Sequence, residues 1–289
     1  MSGIPGPGAA RLTVVLLAVV SAVLAYPWRS TNDQWALGVA VAVALASLLW
    51  WRGRFLTTIV AQRLRVLLHR KAIHPAPAEL RSTGADVITT VLARVESRER
   101  ELPLGLLAGY LDRYGLVCDS VRITTRTTGS DATTWIGLTV SGARNLSALQ
   151  GRSAQIPLRQ TAENAARRLI GQLRETGWTA TLVDSHQVPD LATAGARERW
   201  GTVTDERGYL TTYAAKNPEA LAAVGADADE AWTVVEIAGT SPLDRIRAAA
   251  TIRTESRPDA PPPGLVRIPG RQARALAALH PLSGARLLN

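Results

Sequence analysis

The sequence of 289 residues contains a single cysteine, Cys118, and only four histidines, which are scattered along the chain. One cysteine excludes an intrachain disulfide framework and any zinc site built from several thiolates. His69 and His74 lie five residues apart across a proline boundary, so they do not share a helical face. The sequence therefore predicts no bound metal and no cofactor.

The chain also lacks the common nucleotide-binding motifs. It contains no GxxxxGK[ST] loop to hold phosphates, and no GxGxxG follows a predicted strand. Asp184-Ser185-His186 has the residue types of a serine hydrolase, but neighbours along a chain rarely converge on one substrate and no GxSxG elbow accompanies them. These absences predict a protein that is not an enzyme and has no catalytic residues.

Acidic residues are absent from one strongly basic segment. The formal charge is +9 and the pI is near 10.6, yet residues 52–71 alone carry six Lys/Arg and no Asp or Glu. From Glu79 onward, 25 Lys/Arg face 23 Asp/Glu. A nucleic-acid-binding domain would be expected to spread basic and aromatic side chains over a surface. The sequence therefore predicts neither a nucleic-acid partner nor a small-molecule substrate.

Two stretches near the N-terminus lack charge altogether. Leu12–Tyr26 and Trp35–Trp51 contain no Asp, Glu, Lys or Arg. A membrane helix needs about 20 residues to cross the hydrocarbon core, so both stretches can span if flanking residues contribute. We predict a helical hairpin at 12–51, with spans at 12–28 and 35–51, after an N-terminal tail at 1–11. Cleavage of the first stretch as a signal peptide is the alternative.

Tryptophan and arginine at the ends of these stretches predict the orientation of the hairpin. Indole rings settle at the headgroup level, and Lys and Arg are enriched on the cytoplasmic side. The turn has only Arg29, offset by Asp33, whereas the basic residues follow the second span. We therefore predict a two-pass protein of the plasma membrane with both termini cytoplasmic. The predicted interface anchors are Trp28, Trp35, Trp50, Trp51, Arg52 and Arg54.

Residues 52–73 have the periodicity of a basic amphipathic helix. Apolar residues recur at three- and four-residue spacing between Phe55 and Leu68. This helix could continue the second span, lie on the membrane surface, present its apolar stripe to another subunit, or form a solvated basic collar. The candidate partner-facing residues are Phe55, Ile59, Val60 and Leu64.

The remaining residues, 79–289, predict a cytoplasmic domain in which helix and strand signals alternate. Predicted helices cover 85–95, the stripe from Leu104 to Leu111, 160–176 with Gly177 as its cap, a short segment after Ser241-Pro242, and 271–279. Predicted strands cover 116–125, 134–140, 178–183 and 232–237, with a hairpin around Asp205–Gly208. The predicted fold class is α/β: two transmembrane helices followed by a mixed α/β domain with a mixed or mostly antiparallel sheet.

A pair of carboxylates supports an alternative function. Asp227 and Asp229 stand at i and i+2 in an Ala/Gly-rich loop before a strand. Two such carboxylates can hold a divalent ion against a nucleotide diphosphate, as in glycosyltransferases. The alternative hypothesis is therefore a membrane-tethered glycosyltransferase-like enzyme, and a solvated turn is the simpler interpretation.

The N-terminal strings resemble those of a known family. Ala25-Tyr26-Pro27-Trp28 and the stretch WWRGRFLTT from Trp50 to Thr58, followed by an α/β domain, are similar to EccE, a membrane component of the mycobacterial type VII (ESX) secretion system. The resemblance implies a non-catalytic accessory subunit of an inner-membrane complex for protein export. It also implies EccB, EccC and EccD as partners, with EccC supplying the ATPase. These strings carry no catalytic residue.

Overall fold

The computed structural model describes residues 86–96, 102–151, 157–222, 228–239 and 246–288. It also describes three short stretches, Trp50–Trp51, Arg54–Phe55 and Leu80–Thr83, and the isolated positions Leu16, Leu17, Val20, Trp35, Gly38, Val39, Arg63 and Val224. Contacts divide the chain into two units, residues 1–69 and residues 70–289.

The first unit contains a minimal antiparallel pair of strands. β1 (Trp50–Trp51) pairs with β2 (Arg54–Phe55), with Trp50 opposite Phe55. The helix predicted to start at residue 52 therefore does not include Arg54 and Phe55. The described positions inside the predicted spans are helical except for Trp50 and Trp51. Across the described part of the chain, no helix has both the length and the hydropathy needed to cross a bilayer.

The second unit is built on a sheet of twelve strands, all of whose pairings are antiparallel. The strands are β3 (Leu80–Thr83), β4 (Asp86–Val95), β5 (Asp112–Arg113), β6 (Leu116–Thr128), β7 (Asp131–Ser141), β8 (Ala180–Val183), β9 (Arg197–Glu198), β10 (Val203–Asp205), β11 (Gly208–Ala215), β12 (Glu230–Ala238), β13 (Ile246–Thr254) and β14 (Leu265–Arg267). The mixed α/β class with a mostly antiparallel sheet is confirmed.

Four described helices accompany the sheet: α1 (Leu104–Gly109), α2 (Leu146–Gln150), α3 (Leu158–Glu175) and α4 (Gln272–Leu279). Two 3-10 turns, Ser185–Gln187 and Pro218–Leu221, follow β8 and β11. The predictions of α3, of α4 and of a helix beginning near Leu104 are confirmed. Gly177, with a φ of 87°, ends α3 as expected for a glycine C-cap. The short helix predicted after Ser241 lies outside the described residues.

The helix predicted over 85–95 is wrong, because this segment contains the whole of strand β4 (Asp86–Val95). Its run of β-branched residues, from Val87 to Val91, favours an extended backbone over a helix. Leu92 and Ala93 are both buried although they point to opposite faces. A strand buried on both faces lacks the polar alternation that distinguishes a strand from a helix in sequence.

One side of the sheet, which we call the α3 face, packs against α3 and α1. The strands contribute the alternate residues Val91, Ala93, Val121, Ile123, Ile136, Leu138 and Val140, and α3 contributes Ala162, Ala166, Leu169, Ile170 and Leu173. The i, i+3, i+4 spacing predicted for α3 from its sequence places these five side chains on one stripe. This cluster is the larger apolar core of the unit.

The opposite side, which we call the C-terminal face, is covered by α4 and by residues 280–288. The sheet contributes Trp135, Trp232, Val234, Ala249 and Leu210, and the covering residues include Leu276, Leu279 and Leu287. Trp135 and Trp232 stack with ring centroids 5.8 Å apart and planes 11° apart. The C-terminal segment is thus part of the core.

The strand pairing of the second unit repeats. β4 forms a hairpin with β3 and pairs with β8 along its C-terminal half. On its other side the strand order is β4-β7-β6. In the same way, β11 forms a hairpin with β10 and pairs with β14 along its C-terminal half. On its other side the strand order is β11-β13-β12. β6 and β12 join the halves by antiparallel pairing. This is the topology of two copies related by a two-fold axis between β6 and β12.

Candidate functional site

Half of the ten residues predicted to anchor the chain or face a partner lie outside the described part of the chain: Trp28, Arg52, Ile59, Val60 and Leu64. Of the described ones, Trp35 has a helical backbone and its side chain is 71% exposed. Trp50, Trp51, Arg54 and Phe55 lie together in the β1–β2 pair. The structure therefore brings four predicted residues into one short hairpin, and their roles remain predictions.

The carboxylate pair of the glycosyltransferase hypothesis receives no support. Asp227 lies outside the described residues, and Asp229 is exposed immediately before β12. In the described ranges, no group of three or more His, Cys, Asp or Glu side chains is arranged to hold a metal ion. The next carboxylate along the chain, Glu230, points to the C-terminal face and is bound by arginines.

Glu230 is the centre of a buried charge network formed by Arg126, Asp205, Arg207, Glu230 and Arg253, which we call the Glu230 network. Arg253 Nε donates to Glu230 Oε2 at 2.8 Å, and Arg253 Nη1 donates to Asp205 Oδ1 at 2.7 Å. Arg126 Nε donates to Glu230 Oε1 at 2.7 Å. Arg207 Nη1 lies 3.4 Å from Glu230 Oε2. The network ties β6, β10, β12 and β13 together across the sheet.

Both carboxylates in this network remain ionised at neutral pH. Burial by itself would raise the pKa of Glu230, but the hydrogen bonds from Arg253 and Arg126 outweigh burial and lower its pKa. The pKa of Asp205 is lowered in the same way, by Arg253 and the backbone N–H of Thr193 against the effect of burial. Both carboxylates are therefore negatively charged at pH 7 and are neutralised by the arginines that contact them.

A second buried cation, Arg122, fixes the C-terminal segment. Its Nη2 donates to Glu236 Oε2 at 2.5 Å and to the carbonyl of Ala285 at 2.6 Å. Its Nη1 donates to the carbonyls of Ala278 and Ser283 at 2.9 and 2.7 Å. Burial lowers the pKa of Arg122, and Glu236 partly offsets that effect. One side chain on β6 therefore holds the end of α4 and the residues that follow it.

A mainly apolar groove of about 550 Å³ opens beside α1. Its walls include Leu104 and Ala108 of α1, Ile237 of β12 and Ile246 of β13, with Asp112 and Arg144 among the polar lining residues. Leu104 and Ile246 are 46% and 43% exposed. Exposed apolar side chains around a concavity are typical of surfaces that bind other molecules.

Cys118 lies in the wall of this groove but is not poised as a nucleophile. Burial raises the pKa of its thiol to about 12, so the thiolate is scarce at neutral pH. A β-bulge follows directly, between Cys118 and Ser120. Asn145 holds the neighbouring backbone, because its Oδ1 accepts the N–H of Val117 and its Nδ2 donates to the Val117 carbonyl. Cys118 therefore acts as a small buried residue.

Sequence reasoning missed the buried arginines and their acidic partners. Arg122 and Arg126 on β6 stand opposite Glu236 and Trp232 on β12, so all four side chains point to the C-terminal face. The available signal was the even spacing of the charged residues, four positions on β6 and six between Glu230 and Glu236 on β12. Charged residues at such positions ordinarily indicate a solvent-exposed face. The covering by α4 and residues 280–288 makes this face an interior, and strand patterns do not reveal that covering.

Comparison with known proteins links the chain to a protein-export system. Residues 129–215, from the β6–β7 turn to the end of β11, match a family model described as "Putative type VII ESX secretion system translocon, EccE". The match therefore covers β7, α3, β8 and the β10–β11 hairpin.

Similarity to curated proteins extends over nearly the full length. The chain is 41% identical over 285 residues to the ESX-3 secretion system protein EccE3 of Mycolicibacterium smegmatis, covering 96% of this chain and 89% of that protein. It is 44% identical over 309 residues to the protein of the same name from Mycobacterium tuberculosis, covering 99% of this chain and 89% of that protein.

Proposed function

This chain belongs to the EccE family of ESX secretion system components, and we propose that it is a non-catalytic structural subunit of the type VII secretion core complex. Near-full-length similarity to proteins named for that system is the observation that carries this proposal. We propose EccB, EccC and EccD as its partners, as the family resemblance implies. EccC would supply the ATPase that this sequence lacks.

We propose that the chain is held at the plasma membrane by the two uncharged stretches, with both termini in the cytoplasm. The six Lys/Arg of residues 52–71 support this orientation, because positive residues flank membrane spans on the cytoplasmic side. A phosphatase reporter, active only outside the cytoplasm, is expected to be inactive when fused at the C-terminus. It is expected to be active when inserted in the turn at 29–34. Activity at the C-terminus would contradict the orientation.

We propose that anchoring also serves assembly. A domain tethered beside the membrane meets its neighbours at a raised effective concentration, so modest contacts suffice for binding. The apolar stripe of Phe55, Ile59, Val60 and Leu64 is the proposed partner-facing surface. The spacing of Ile59, Val60 and Leu64 in sequence supports an apolar face on a helix beyond β2, next to Phe55 at the end of β2.

The double substitution Ile59→Glu with Leu64→Glu tests this surface. Two buried carboxylates in an apolar interface carry a large desolvation cost, so we expect co-purification with EccB, EccC and EccD to fall at least about tenfold. The chain itself should stay in the membrane fraction. Thr58→Glu with Ala61→Glu is the matched control, because it introduces the same two negative charges at neutral positions outside the stripe. Undiminished co-purification of the stripe variant would reject the interface.

A further inference from the structure

A second cavity, of about 380 Å³, opens on the C-terminal face of the sheet. Its lining residues include Arg94, Arg126, Thr133, Trp135, His186 and Val188. Trp135 and Val188 are buried and form its apolar part, whereas Arg94 and His186 are exposed. The cavity is lined by two arginines and a histidine but by no carboxylate in the described part of the chain.

The sheet register places the two arginines on either side of one strand. Arg94 on β4 stands opposite Trp135 on β7, and Arg126 on β6 stands opposite Thr133 on β7. All four side chains point to the C-terminal face, because neighbouring residues two apart along a strand share a side. The two guanidinium groups therefore flank β7 at the mouth of the cavity.

The two arginines differ in how they are held. Arg126 is fixed, because its Nε donates to Glu230 Oε1 and its guanidinium lies 5.5 Å from the centre of the Trp232 ring. The side chain of Arg94 forms no hydrogen bond or ion pair with the described residues, including Glu96, which directly follows the end of β4. Arg126, which is held in place, and Arg94, whose side chain has no described partner, therefore line the same cavity.

Charge around the cavity is unbalanced. The acids of the Glu230 network, Glu230 and Asp205, already face three arginines of that network. Arg94 adds a fourth positive charge with no acid of its own. A site with surplus positive charge and partly buried walls attracts anions, and the planar fork of arginine matches a carboxylate.

We propose that this cavity receives an aspartate or glutamate side chain of a partner protein, an inference that rests on the proposed role of the chain as a subunit of a complex. At about 380 Å³ the cavity is near the lower limit of small-ligand sites, and it opens widely to solvent. It therefore fits one protruding side chain better than an enclosed metabolite. Arginine and tryptophan together are also the composition of protein-binding hot spots.

The test compares Arg94→Glu with Arg257→Glu in the full chain. Both arginines are exposed and neither has a described ion-pair partner, so the two variants change the net charge equally. The purified chain in detergent is titrated with a hexaglutamate peptide by calorimetry. We expect at least about tenfold weaker binding for Arg94→Glu and unchanged binding for Arg257→Glu. Equal affinities in the two variants would overturn the proposal.

Competition with inorganic phosphate distinguishes a carboxylate site from a phosphate site. Inorganic phosphate that displaces the peptide, where sodium chloride of equal ionic strength does not, would identify a phosphate site and overturn the proposal. If Arg94→Glu does not fold, as judged by its melting temperature, Arg94→Gln replaces it with the same expectation.

In native membranes, Arg94→Glu is expected to co-purify with less EccB, EccC or EccD than Arg257→Glu. If the wild-type chain already purifies without these proteins, the proposed function fails. The peptide titration still tests the cavity independently.

Discussion

Single charged side chains hold the interior of the second unit together. Arg122 is 2% exposed and contacts Glu236 and three backbone carbonyls, and Arg253 is 4% exposed and joins Glu230, Asp205 and the carbonyl of Leu191. A buried ion pair adds little net stability compared with apolar packing, but removing one partner leaves an uncompensated buried charge. These residues are therefore sensitive points of the fold.

His280 makes the stability of the second unit depend on pH. Its Nδ1 accepts the N–H of Leu282 at 3.2 Å, and burial, together with the nearby charge of Arg122, lowers its pKa to about 4. The unfolded chain, with a histidine pKa near 6.5, then binds a proton that the folded chain excludes. The contribution of neutral His280 to the free energy of unfolding is therefore fully present above about pH 6.5 and is lost as the pH falls toward 4.

We expect the free energy of unfolding to fall by about 1.2 kcal/mol between pH 6 and pH 5 from this residue. The measurement is urea unfolding of the full chain in detergent, followed by tryptophan fluorescence at several pH values. His280→Gln removes the titrating group, so its unfolding free energy should change less over this interval. A slope that is the same in both proteins would contradict the assignment to His280.

At the scale of elements, the C-terminal segment closes one face of the sheet. Residues 280–288 add Leu282 and Leu287 to the core, and their backbone carbonyls satisfy the donors of Arg122. The segment is irregular in structure, with no helix or strand after α4. The conformation of residues 280–288 is held by contacts with Arg122 on β6 and Glu236 on β12, the two central strands of the sheet.

Replacing Arg122 by methionine should therefore loosen this segment and destabilise the unit. We expect a loss of about 3–5 kcal/mol, because Glu236 would stay buried without its main partner. Arg144→Met is the matched control, since Arg144 pairs with Asp119 near the surface and such pairs contribute about 0–1 kcal/mol. Chemical denaturation of both variants measures the difference. Equal losses in the two variants would refute the role given to Arg122.

Sequence periodicity predicted the elements whose apolar residues recur at one regular spacing. The spacing of Ala162, Ala166 and Leu169 predicted α3, and the alternation of Ile136, Leu138 and Val140 predicted strand β7, although β7 is buried on both faces. β4 was predicted as a helix because its apolar residues do not alternate with polar ones. Local pattern decides structure only where the apolar residues follow the period of one element.

The candidate sites were less predictable than the elements. The cavity between Arg94 and Arg126 joins β4, β6 and β7 with the 3-10 turn at Ser185–Gln187, which are distant in sequence. Which side chains line the cavity depends on the register of the paired strands, and that register is set by the pairing of the whole sheet. The predicted anchors at Trp50, Trp51 and Arg54 rely on composition alone, so they could be named without knowledge of the fold.

At the scale of the molecule, the second unit is one continuous sheet made of two topologically equivalent halves. β6 and β12 form its centre, and a hairpin lies towards each end, β3–β4 on one side and β10–β11, followed by β9, on the other. The two halves cover their faces differently. α3 follows β7, whereas the equivalent connection after β13 contains the proline-rich stretch 258–264 and no helix.

This architecture suits a subunit that works by being bound in place. Its buried carboxylates Asp205, Glu230 and Glu236 are paired with arginines, Cys118 is protonated at neutral pH, and the described residues form a mainly apolar groove and a basic cavity. Both surfaces have the chemistry of protein contacts. A role in the secretion complex therefore depends on assembly with other subunits.

Affinity purification of the chain, tagged at its C-terminus, from native mycobacterial membranes tests the central claim most directly. We expect EccB, EccC and EccD to elute with it as one complex whose size exceeds that of the chain alone on gel filtration. Recovery of the chain as an isolated membrane protein, from membranes in which the other three subunits still elute together, would contradict the account.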